Sequence, residues 1–81
     1  MQFRDREILA GRYYRHFKGG LYLVIGIAIH TETEEKMVVY QAQYGDKLLF
    51  VRPYRMFAEQ LDHREHPEAK QKYRFELAED P

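Results

Sequence analysis

The sequence of 81 residues contains no cysteine, serine, asparagine or tryptophan. Without cysteine there are no disulfides and no thiolate metal sites, a composition compatible with the cytoplasm. Without serine or cysteine, the common covalent nucleophiles are excluded, and Thr31 and Thr33 are the only aliphatic hydroxyls. No apolar run is long enough to span a bilayer, and Met1-Gln2-Phe3-Arg4 lacks the apolar core of a signal peptide, so no membrane role is expected. Net charge is also missing. Thirteen Lys and Arg balance thirteen Asp and Glu, and the first thirty residues are only mildly basic, far from the basic stripe of a dedicated nucleic-acid binder.

What is present is a 44% hydrophobic, 32% charged chain of single-domain length, which buries only roughly 60–65% of the surface its unfolded form exposes. It is organised around residues 13 to 30. From Leu21 to Ile29 both alternating sets are apolar or small, which leaves no wet face for a surface helix and reads as a strand buried on both sides. Gly26 in its middle signals a bulge or a sharp bend. Tyr13 to Phe17 alternates as a preceding strand, with Tyr14 and His16 on one face, and Gly19-Gly20 supplies the hairpin turn.

Residues 1–10 form a leader in which Phe3, Ile8 and Leu9 can pack on the body. Thr31 to Lys36 is a charged surface loop. Met37 to Tyr44 reads as a third strand with Val38, Tyr40, Ala42 and Tyr44 inward. Gly45-Asp46 turns the chain into a fourth strand, Lys47 to Arg52, which Pro53 stops. Pro53 to Phe57 reads as one turn of helix returning Phe57 to the core. A polar loop with a turn or two of helix follows over 58–72, and Tyr73 to Leu77 alternates as a fifth strand, so that residues 1–81 read as one domain whose barrel is built from 11–57 and 73–77. Five short strands with a one-turn helix before the last suggest an all-β, small SH3-like barrel, because closure hides the edges of so apolar a ribbon. An open meander is the alternative.

The residues Tyr14-Arg15-His16-Phe17-Lys18-Gly19-Gly20-Leu21-Tyr22, then Val24, Gly26-Ile27-Ala28, His30, Val38-Val39-Tyr40 and Val51-Arg52-Pro53 with Met56-Phe57 resemble a bacterial family known only as domain of unknown function 1653. The resemblance covers roughly residues 11–77 and implies a small SH3-type barrel of the bacterial cytoplasm with no established activity. The chain departs from that pattern at Leu23 and Ile29, where charged or polar residues are expected, and at Phe50, where the family more often has Trp.

The constellation that stands out is Tyr14, His16, Lys18, Tyr22 and Arg52, aromatic, titratable and cationic groups on or near the first hairpin and the end of strand four. Aromatic platforms beside cations suit single-stranded nucleic acid, and equally a peptide or an anionic metabolite. The structural alternative has Tyr14 and His16 hydrogen-bonded in the barrel mouth and Arg52 paired with Glu59 or Asp46. Lys18-Gly19-Gly20 lacks the helix that makes a phosphate loop, and His63 and His66 with Asp62 and Glu65 lie in a polar segment broken by Pro67. His16 beside Asp46 or Glu59 is the one acid–base pair on offer. No catalytic, cofactor or metal site is expected, and the sequence favours a non-catalytic binding module for nucleic acid or a protein partner over a structural domain or an enzyme. If one parity of strand two faces inward, Leu21 to Ile29 present an aliphatic stripe, to be covered by the leader or by a second copy in a homodimer through strand two.

Overall fold

The computed structural model describes residues 6–80, and among them the expected all-β chain forms one antiparallel sheet. Its strands are β1 (Tyr13–His16), β2 (Leu21–Ile29), β3 (Lys36–Ala42), β4 (Leu49–Pro53) and β5 (Phe75–Ala78), with a single helical turn, α1 (Tyr54–Phe57), before the last. The strand order is β4-β3-β2-β1-β5. Each of the first three strands pairs with the next, and β5 returns across the molecule to β1. The ladder ends at β4 on one side and β5 on the other, so the hydrogen-bonded closure expected of a barrel is not formed among the described residues.

Local chemistry explains the turns. The β1–β2 connection is one residue wider than a Gly19-Gly20 turn: the His16 N–H donates to the Gly20 carbonyl at 2.8 Å, the His16 carbonyl accepts the Gly19 N–H at 2.8 Å, and Phe17-Lys18-Gly19 forms the loop. Gly19 takes a φ of 110° there, open to glycine and strained for other residues. Tyr44 to Lys47 makes the β3–β4 turn, with Gly45 at its first central position. β3 stops at Ala42, so Tyr44 leaves the sheet and is half exposed instead of facing inward. Residues 58–72 contain turns but no helix; Leu61 anchors them, buried, with its N–H on the Lys72 carbonyl at 2.9 Å.

The core is aromatic. Phe57, at the end of α1, stacks on Phe75 with ring centroids 4.0 Å apart, and Tyr14 and Tyr40 meet Phe57 edge-on. Val24 and Val38 fill between them. The leader enters this core. Ile8 is buried, its N–H donates to the Tyr54 hydroxyl at 2.7 Å, and the Leu9 N–H donates to the Tyr14 hydroxyl at 2.9 Å. Arg6 lies 4.0 Å over the Tyr73 ring and donates to the Ala58 and Phe75 carbonyls; its burial lowers the guanidinium pKa. Phe3, the other apolar leader residue, lies outside the described residues.

Strand two corrects the expected stripe. The β2–β3 register shifts between Val24 and Gly26, leaving Ile25 as a bulge, which reverses the facing of everything after it. Leu21 and Leu23 therefore lie on the outer face, while Ile27 pairs with Val38 and falls on the inner one. Ile27 and Ile29 remain 40% and 57% exposed because the β2–β3 arm runs beyond the core. The leader packs against Tyr54 and Tyr14 and leaves these isoleucines open. Both backbone edges of β2 are taken, by β1 and β3.

Candidate functional site

At the end of the sheet where the β1–β2 loop approaches the β3–β4 turn, a cleft of about 660 Å³ opens between Arg15, His16, Lys18, Gly19, Gly20, Leu21, Tyr22, Gln43 and Tyr44. The period of two places His16 and Tyr22 on the inner face, as the pairing of Tyr14 with Tyr22 and of His16 with Phe75 confirms. The His16 ring lies 4.6 Å from that of Phe17 and 4.9 Å from that of Phe75. Its Nδ1 accepts the Lys18 N–H at 3.1 Å. Partial burial, followed by the charges of Arg74, Arg52 and Lys18, lowers its pKa to about 4, so His16 is neutral at pH 7.

Tyr22 closes the floor. Its ring meets those of Tyr40 and Phe75 edge-on, and its hydroxyl shares a short hydrogen bond with the Tyr44 hydroxyl. Burial and that bond raise the Tyr22 phenol to about 12. Arg52 stands behind the cleft with Nε on the Tyr40 hydroxyl at 3.3 Å and its guanidinium 5.5 Å from the Phe75 ring centroid. The expected ion pair with Glu59 or Asp46 does not form. Glu59 is held by Arg74 at 2.8 Å, and Arg52 has no carboxylate partner among the described residues. Lys18 is exposed on the loop with Nζ 5.7 Å from the Phe17 ring centroid.

Four of the five residues singled out in the sequence thus gather around one end of the sheet, and one does not. Tyr14 is 2% exposed and belongs to the core; a shared face with His16 does not give it a shared depth. Arg15, Tyr44 and Arg74 were missed. Arg15 alternates onto the opposite face of β1 from His16, yet it lines the cleft from the side while its Nη1 donates to the Gly19 carbonyl at 2.8 Å. Tyr44, expected inward from the alternation of strand three, lines the cleft instead. Arg74 comes from the far end of the chain, with no local signal in the sequence.

On the other side of the β1–β2 loop lies a second cleft of about 450 Å³, lined by Phe17, Lys18, Glu68, Ala69, Lys70 and Gln71. Lys18 borders both. The His63 and His66 segment forms no metal-binding group among the described residues. His63 bonds the Gln71 carbonyl and the His66 ring packs 4.7 Å from Phe17.

The arrangement presents cations, ring faces and hydrogen-bonding hydroxyls beside a neutral imidazole, with no carboxylate in the main cleft. It defines a small antiparallel β-protein with a cationic, aromatic-lined cleft. The family model "Protein of unknown function (DUF1653)" matches residues 12–77, and the chain belongs to that family. A crystal structure of a DUF1653 protein from Bordetella bronchiseptica is similar, with a TM-score of 0.70 and 29% identity over 98% of this chain and 91% of that one. No curated protein matches the chain.

Proposed function

We propose that the protein is a non-catalytic binding module whose first-hairpin cleft takes an anionic, ring-bearing ligand, with single-stranded nucleic acid as the class that fits best. The observation that carries this reading is the composition of the cleft. In a chain with as many acids as bases, its lining holds Arg15, His16 and Lys18 and no Asp or Glu, with Arg52 unneutralised behind it. Uncompensated cations of this kind favour phosphate, and Tyr22, Tyr44 and Phe17 offer rings for base stacking. A chain-like ligand is favoured over a single nucleotide because Lys18 separates two clefts, so a strand crossing the loop contacts both. Among the described residues no helix is long and apolar enough to cross a membrane, and a cytoplasmic setting, where such ligands are found, suits this role.

The test is fluorescence anisotropy with labelled single-stranded RNA across a salt series. Binding should weaken linearly in log K against log salt, and Lys18→Ala and Arg52→Ala should each reduce affinity several-fold while the fold survives. Absence of binding at low salt, or variants that bind like the parent, would remove the cleft from this role.

A further inference from the structure

The two edges of the sheet are guarded differently. β5 runs on into the exposed Glu79-Asp80, charges of the kind that discourage another strand from adding to an edge, while its own Glu76 carboxylate is taken up by the Lys72 and Tyr73 N–H groups. β4 has no such protection. Leu48, Leu49 and Val51 are 59%, 61% and 62% exposed, Phe50 is partly so, and the one charged side chain of the strand, Arg52, turns back to the Tyr40 hydroxyl. The backbone is free as well. Ala42 N–H donates to the Leu48 carbonyl at 3.0 Å, so the alternation of an antiparallel ladder aims Leu48, Phe50 and Arg52 at β3 and leaves the N–H and C=O of Leu49 and Val51 pointing away from the sheet.

We propose that β4 is a dimerisation edge, occupied by β4 of a second copy of this chain running antiparallel about a two-fold axis at Phe50. In that register Leu49 of one copy faces Val51 of the other, and every free backbone group of both residues finds a partner. An isologous contact of this kind needs a self-complementary edge, and this one is. The same register brings the Asp46-Lys47 turn of each copy toward the Pro53–Arg55 end of the other, so Asp46, which has no ion pair among the described residues, approaches Arg55, itself paired with Glu35 of its own copy at 3.3 Å. The area sets the strength. Residues 48–51 expose on the order of 400 Å² of side chain, so two copies remove on the order of 800–900 Å², below the roughly 1,200 Å² of stable interfaces. The dimer is a weak, concentration-dependent one.

Sedimentation equilibrium of the full chain from about 1 μM to about 1 mM spans the range of such association. The mass should rise from 9.8 kDa toward twice that value, and the Leu49 and Val51 amides should gain protection from hydrogen exchange with concentration. Val51→Lys, at an exposed outer-face position, should hold the monomer mass throughout with an unchanged thermal midpoint, whereas Ile25→Lys, on the β2 bulge, should dimerise like the parent. A monomer at the highest concentration overturns the proposal. So does a dimer lost in Ile25→Lys and kept in Val51→Lys, or a monomer that pairs β4 only with an added extended peptide. The amide readout is made on the parent chain, so it stands even if Val51→Lys folds poorly.

Discussion

Tyr14 and His16 lie two residues apart on the same face of β1, yet one ends in a dry aromatic core and the other at a wet, cationic cleft. Tyr14 is covered by Phe57, Ile8 and the leader backbone. His16 is flanked by the Phe75 and Phe17 rings and otherwise open, with Arg74, Arg52 and Lys18 acting on it from around the cleft. The difference is set by what arrives from elsewhere in the chain: α1 and the leader reach the first position, and only a three-residue loop reaches the second. Period two fixes which way a side chain points. The depth at which it ends is fixed by long-range packing.

The largest effect should come from removing the plug at the core end. Truncating a buried Phe costs about 3–5 kcal/mol, and a chain of this length has a total stability on the order of 4–12 kcal/mol. Phe57→Ala should therefore be largely unfolded or strongly destabilised by thermal melting; an unchanged midpoint would place the core elsewhere.

Next comes Tyr14→Phe, which keeps the ring and deletes the hydroxyl that accepts the Leu9 N–H. Leaving that donor unpaired should cost about 1–2 kcal/mol, read as a lower melting midpoint and faster exchange of the Leu9 amide. A Tyr14→Phe protein that melts like the parent would erase the contrast with His16, since the leader would then not depend on Tyr14.

At the cleft end the effect is smaller and depends on pH. The folded-state pKa of His16, about 4, lies below its ordinary value near 6.5. Between those values the unfolded chain therefore holds more protons than the folded one. Stability contributed by neutral His16 is present above pH ~6.5 and is lost as the pH falls through the window toward 4. Protonation also turns Nδ1 into a donor, which breaks its bond from the Lys18 N–H. The melting midpoint should fall across this window, and His16→Gln should flatten that part of the profile. An unaltered profile in the variant would show that other groups cause the slope.

The smallest change in stability should be that of Lys18→Ala. Its side chain is exposed and unpaired among the described residues, so the stability should change by less than about 0.5 kcal/mol while RNA affinity drops. A variant that loses stability and affinity together would make the cleft a part of the core after all.

Much of this contrast was legible in the sequence, and the unread part has a common cause. The alternation of Tyr13 to Phe17, the turn before Leu21 and the proline that ends β4 are local signals, and each produced its element within a residue or two. Gly26 announced a bulge, but its place, at Ile25, depends on how β3 pairs, and that pairing decides which isoleucines face the core side. Ile8 entering the core, Arg74 taking Glu59 from Arg52, and β5 lying beside β1 are contacts between residues far apart in the chain. Composition and period carry no information about them.

The hydroxyl pair of Tyr22 and Tyr44 has an optical consequence. With seven tyrosines and no tryptophan, the ultraviolet emission of the chain is pure tyrosine fluorescence, with no indole to collect the excitation. Two of those fluorophores flank the cleft, hydrogen-bonded to each other. A base stacking on Tyr44 or parting that bond should alter emission intensity directly. In an alkaline absorbance titration the phenolate of Tyr22 should emerge near pH 12, and earlier once the bond is broken by Tyr44→Phe. The cleft is thus its own chromophore, readable without a label.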